Sequence, residues 1–205
     1  MGRRFMLRSS VGAVLVLVTG LAAHALASAA APLAIDTARV TIAGTSNIHE
    51  WTATTNTVRV TRAQLGAVAG PEFWENVLKP GAVEAFEIAI PASTLTSPKE
   101  GLDKNMYKAL KVQEFPDITF RLVRFEAGQA GALKGMGMLR IAGVEREVVL
   151  NLTTKRNTAS LTVTGKADLL MTDYGITPPK ALMGMLKTDP KVTITFETVL
   201  TIPLT

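Results

Sequence analysis

The chain offers few residues able to do chemistry. Beyond residue 27 it has one histidine, His49, followed by Glu50. A zinc-protease helix needs a second histidine four positions on, and none is there. A Ser–His–Asp triad through His49 is open by composition, but no nucleophile elbow occurs. A hydrogen-bonding or capping role for His49 is the simpler reading. The chain has no cysteine, which removes a thiol nucleophile and any Cys-ligated zinc or iron–sulfur site. No glycine-rich loop leads from a strand into a helix, so no phosphate or dinucleotide cradle is predicted. Asp168 and Asp173 are separated by a strand end and do not form an acid–base pair. Neither catalysis nor a cofactor is expected.

Thioethers come next. Met136-Gly-Met138 and Met183-Gly-Met185 both have the form M-x-M. In an exported protein such sulfurs can select Cu(I). Strand alternation gives a simpler reading: Met136 and Met138 share a face, and methionine fills irregular apolar space. No metal site is expected.

The third chemistry is apolar binding, and the elements that would position it dominate the chain. Period-two alternation predicts strands over much of it: Ala38–Gly44, Thr52–Val60, Val83–Pro91, Asp117–Glu126, Leu133–Ile141, Glu145–Thr154, Ser160–Leu170 and Lys191–Thr201. In Asp117–Glu126, Ile118, Phe120 and Leu122 share one parity while Val123 and Phe125 fall on the other. Either a bulge intervenes or both faces are covered. Ser97-Pro98-Lys99-Glu100 has the form of a helix start, and Leu102, Met106 and Leu110 then make a stripe at i, i+4, i+8. No helix–strand alternation of the βαβ type is present. The pattern predicts an all-β protein of roughly eight antiparallel strands with a short helical insertion, closed as a barrel or a sandwich.

The stretch Asp168–Phe196 is strand-like at its two ends, and its middle reads as a long connection between the last two strands carrying Met171, Tyr174, Ile176, Leu182, Met183, Met185 and Leu186. Pro178, Pro179 and Pro190 argue against a strand in its middle. Apolar side chains on such a loop either plug a barrel end or form a lid over an apolar site. In the lid reading the walls are Phe86, Ile88, Leu102, Met106, Leu110, Phe120, Leu122, Met136, Met138, Met171, Ile176, Met183, Met185 and Phe196. Trp51, His49 and Tyr174 would form a polar mouth. The alternative is a filled barrel acting as a structural or stress-response interaction protein.

Residues 1–27 have the form of a signal peptide: Arg3, Arg4 and Arg8, an apolar run over Val11–Leu26, then Ala25-Leu26-Ala27. The start Arg3-Arg4-Phe5-Met6-Leu7-Arg8 loosely resembles a twin-arginine signal, so export is by the general secretory or twin-arginine route. Residues 28–34 read as a disordered leader and 35–205 as one domain. Without the signal's three arginines the basic excess falls from five to two, and no basic patch with interleaved aromatics remains. Nucleic acid is not an expected partner. An exported chain without cysteine suits the periplasm and must hold its fold by core packing alone.

Several stretches together resemble the YceI-like family of lipid- and polyisoprenoid-binding proteins. They are Gly44-Thr-Ser-Asn-Ile-His-Glu-Trp51, Leu102-Asp-Lys-Asn-Met-Tyr-Lys-Ala-Leu110, Phe115-Pro-Asp-Ile-Thr-Phe120, Gly137-Met-Leu-Arg-Ile-Ala-Gly-Val-Glu-Arg-Glu-Val148 and Met171-Thr-Asp-Tyr-Gly-Ile-Thr-Pro178. Trp51 and the threonine-rich strand after it resemble a GTS-x-x-H-x-W branch. The resemblance spans about residues 35–202. It implies a lipocalin-like barrel, periplasmic export, and an isoprenoid or quinone-type lipid as ligand. Transient contact with a membrane or a membrane protein, and a homodimer through an open edge strand, are further expected partners.

Overall fold

Strands form where apolar and polar side chains alternate, and they bend where the alternation slips. The computed structural model describes residues 32–98, 100–128, 132–181 and 185–203. The expected signal peptide, leader residues 28–31, Leu182, Met183 and Gly184 lie outside the described residues. The strands are β1 (Ala34–Ser46), β2 (Glu50–Thr55), β3 (Arg59–Leu65), β4 (Val83–Pro91), β5 (Asp117–Ala127), β6 (Ala132–Ile141), β7 (Val144–Arg156), β8 (Ser160–Leu170), β9 (Lys180–Ala181) and β10 (Leu186–Thr201). Helix α1 spans Phe73–Val77 and α2 spans Glu100–Ala109, with 3₁₀ turns at Ala92–Thr94 and Met171–Tyr174.

The sheet order is β2-β1-β10-β8-β7-β6-β5-β4-β3, with β9 paired to β10 off this path. Every pairing is antiparallel. The sheet curls into a barrel of lipocalin type. Its two end strands are successive pieces of one segment: β2 pairs with β1, the chain bends at Asn56–Val58, and β3 pairs with β4. Chain continuity therefore closes the gap. Thr54 and Thr96 add to the closure by exchanging backbone hydrogen bonds of 2.8 and 3.0 Å. The expected strand Thr52–Val60 is thus divided, and the path has nine strands rather than about eight.

Two irregularities follow from local chemistry. The β5–β6 register shifts between Leu122 and Arg124. This bulge exposes Val123 and returns Phe125 to the interior, which settles the parity conflict in favour of a bulge. The second is a correction: β10 runs through Pro190, which the sequence reading excluded from a strand. The proline is tolerated because the ladder is already interrupted there. The β1 partner jumps from Val192 to Thr188, and pairing to β8 stops at Lys191. The connection between β8 and β10 is correspondingly shorter than expected.

Two apolar clusters pack at the barrel's ends. In one, α1 places Trp74 with Leu33, Leu161 and Leu200, and Phe73 packs against them. Leu33, in the expected leader, is thus buried, and β1 begins at Ala34. The other cluster unites Leu95, Leu110, Ile118, Ile141, Leu169, Tyr174, Ile176 and Val192, with Met106 packed against it. Helix α2 is tied across that end by the Tyr107 hydroxyl, which donates to the Leu95 carbonyl (2.7 Å). The 3₁₀ turn is tied by Arg146 Nε, which donates to the Asp173 carbonyl (3.0 Å).

Candidate functional site

The inward positions of the strands leave the barrel hollow. A cavity of about 620 Å³ extends from Leu33 and Val77 at one end to Tyr174 and Lys180 at the other. Its wall is mostly aliphatic and aromatic, and among the described residues neither aspartate nor glutamate lines it. Space is kept partly by glycines on inward positions. The rings of Phe196, Phe120 and Trp51 lie across Gly165, Gly137 and Gly44, where any Cβ would collide with them. Glycine lets a large ring lie flat against the sheet, so an aromatic wall is built without filling the centre.

Of the residues singled out in the sequence, Trp51, Phe86, Ile88, Leu102, Met106, Leu110, Phe120, Leu122, Met171, Tyr174, Ile176 and Phe196 line this cavity, as does His49. Met136 and Met138 do not, which corrects their expected inward placement. In β6 the inward parity belongs to Gly135, Gly137 and Leu139, all buried, and the methionines share the outer parity with Lys134 and Arg140. That shared parity was the available signal. Met185 is also off the wall, at 68% exposed. Met183 lies outside the described residues.

The mouth is marked by the wall residues that are also exposed: His49, Gly101, Asn105, Leu170 and Lys180. They come from the β1–β2 loop, the first turns of α2, the end of β8 and β9. Ser46 and Thr188 add hydroxyls to the same rim. In the β1–β2 loop the Ser46 hydroxyl accepts the His49 amide (3.1 Å) and donates to the His49 carbonyl (2.8 Å). The His49 imidazole has no hydrogen-bond partner among the described residues. Sequence reasoning missed Asn105, Lys180, Ser46 and Thr188 as rim residues, and Val77 and Leu78 as floor. The rim residues are adjacent only because four separate segments meet there. Pro71-Glu72 signalled a short helix near the floor without showing where it packs.

Tyr174 is not at the mouth. It is 2% exposed, and its hydroxyl is buried without a hydrogen-bond partner among the described residues. Burial, with a smaller contribution from the nearby Asp173 charge, pushes its pKa up to about 12. The hydroxyl therefore stays protonated and able to donate at any ordinary pH. Among the described residues no group of three or more His, Cys, Asp or Glu side chains is arranged to hold a metal ion.

Comparison with known proteins agrees with this architecture. The family described as the YceI-like domain matches residues 33–200. Burkholderia cenocepacia BcnA has a crystal structure superposing with a TM-score of 0.63 at 12% identity, covering 79% of this chain and 95% of that one. A polyisoprenoid binding domain from Saccharophagus degradans, implicated in plant cell wall breakdown, gives 0.59 at 10% identity, covering 84% and 99%. The Campylobacter jejuni YCEI protein gives 0.52 at 13% identity, covering 72% and 85%. No curated protein matches the chain. At these identities the structural likeness establishes the fold.

Proposed function

The chain belongs to the YceI-like family, and we propose that it is a periplasmic, non-catalytic binding protein carrying one apolar chain molecule, a polyisoprenoid or quinone-type lipid, inside its barrel. The observation that carries this reading is the cavity. Its volume of about 620 Å³ falls within the roughly 300–1,000 Å³ of small-molecule sites. An acid-free wall of aromatic and branched side chains fits a hydrocarbon tail, while the rim of His49, Asn105 and Lys180 fits an amphipathic head. The polyisoprenoid binding domain from Saccharophagus degradans shares this fold. The hollow interior argues against the filled-barrel alternative. A catalytic His49 lacks support, because its imidazole has no oriented partner among the described residues.

The unpartnered, buried Tyr174 hydroxyl is a hydrogen-bond donor on a residue of this wall, suited to a ligand oxygen. Titrating the signal-free protein with polyprenyl alcohols, followed by Trp51 fluorescence, tests the reading. Saturable one-to-one binding is expected. At about 0.3 kcal/mol per heavy atom, each added five-carbon unit should tighten binding roughly tenfold until the cavity is full. Affinity independent of chain length would contradict the interior site.

A further inference from the structure

The mouth of the cavity has an outer surface whose properties point beyond ligand binding. Among the described residues, the two most exposed large apolar side chains are Met185 at 68% and Ile48 at 60%. They are distant in sequence but lie on two loops bonded to each other. Asn47 Nδ2 donates to the Met185 carbonyl (2.8 Å), the Lys187 amide donates to Asn47 Oδ1 (2.8 Å), and the Asn47 amide donates to the Lys187 carbonyl (3.1 Å). Scattered exposed apolar residues are ordinary. A pair held together by three hydrogen bonds at the edge of an apolar cavity is a built feature. Each neighbours a residue of the wall, His49 beside Ile48 and Leu186 beside Met185.

Two lysines stand beside this pair. Lys180 and Lys187 are directly opposite each other in the β9–β10 pairing. Neither forms an ion pair with a described residue. Like charges directly opposite on a sheet destabilise it, so this pair gains from an external anion. On the segments that carry the pair, the acids are Glu50, next to His49, and Asp189, two residues beyond Lys187, whose carboxylate accepts the Lys191 amide (2.8 Å); neither forms an ion pair with a described residue. Exposed apolar tips flanked by uncompensated lysines are the chemistry of a surface that meets anionic lipid.

We propose that the rim built by Ile48 and Met185, flanked by Lys180 and Lys187, seats the mouth of the barrel on an anionic membrane surface, so that the apolar ligand passes between bilayer and cavity without crossing water. The proposal rests on the carrier reading for its purpose, but the seat itself can be measured without ligand. The apolar tips enter the boundary between head groups and acyl chains, and the lysines meet the phosphates.

The test is flotation of the signal-free protein with vesicles of phosphatidylglycerol and phosphatidylethanolamine, against vesicles of phosphatidylcholine alone. The wild-type chain is expected to float with the anionic vesicles and to release them as salt rises. The double variant Ile48→Asp/Lys187→Glu should bind them at least tenfold more weakly and extract a prenyl alcohol from them correspondingly more slowly. Its uptake of the same alcohol from detergent, and its melting temperature, should match wild type. Absence of wild-type flotation would overturn the proposal and leave the rim to a protein partner or a second copy of the chain. Equal flotation of the variant, or loss of its uptake from detergent, would overturn it too. Failure of wild-type uptake from detergent, with flotation intact, would count against the carrier reading instead.

Discussion

The two ends of the barrel are both crossed by a helix, and only one is sealed. The shorter helix does the sealing. Helix α1 has five residues, but its Trp74 is buried against Leu33, Leu161 and Leu200, and its Val77 is buried as well. Its position is reinforced by the surface ion pair from Arg156 to Glu75 (3.1 Å). Helix α2 is twice as long, yet its wall residues Leu102 and Met106 remain only half-buried, and Asn105 beside them is exposed. What closes an end is the size of the side chain driven into it, not the length of helix laid across it. The barrel is therefore a pocket with a floor and an entrance, and the two ends should respond differently to substitution.

The largest expected effect is at the floor. Trp74→Ala should lower unfolding stability by about 3–5 kcal/mol, the usual loss for truncating a buried tryptophan. Urea unfolding followed by circular dichroism would measure it, and a loss below about 1 kcal/mol would remove the distinction between the ends. At the entrance, Met106→Asp should change stability far less but weaken prenyl binding at least about 100-fold, because a carboxylate would stand in an apolar wall. Ile176→Asp is a poorer test, since Ile176 is buried in the core cluster and the fold itself would suffer.

Smaller effects sharpen the contrast within the wall. Tyr174→Phe should cost about 0.5–1.5 kcal/mol of affinity for a ligand with an oxygen acceptor and nothing for a pure hydrocarbon. The same residue makes a prediction about pH. Its folded pKa of about 12 lies above the ordinary 10.0, so its contribution to stability is complete below pH 10 and declines as pH rises towards 12. Alkaline unfolding of Tyr174→Phe should show a shallower decline over that window.

Most strand faces were legible because one side of each strand is buried. Val40 and Ile42, then Phe86, Ile88 and Ile90, then Val192, Ile194 and Phe196 read directly as alternation, and all line the cavity. Even the β5 bulge announced itself through the parity conflict of Val123 and Phe125. The errors came where composition outweighed parity. Met136 and Met138 suggested a wall by residue type, while Gly135 and Gly137 held the inward positions and left room for Phe120 and Leu152. Pro190 suggested a loop because a proline removes a donor, but a register jump had already released that donor's partner. The rim was illegible for a different reason. Asn47 and Met185 meet through long-range hydrogen bonds that no local pattern encodes.

The central claim is that the hollow barrel holds a chain lipid in the cell. It is tested most directly by native mass spectrometry of the protein isolated from its own host, followed by organic extraction and analysis of the extract. The account predicts a one-to-one adduct that releases a prenyl lipid or quinone and is lost in Met106→Asp. A bare protein mass, with no uptake of added prenyl lipids, would contradict it.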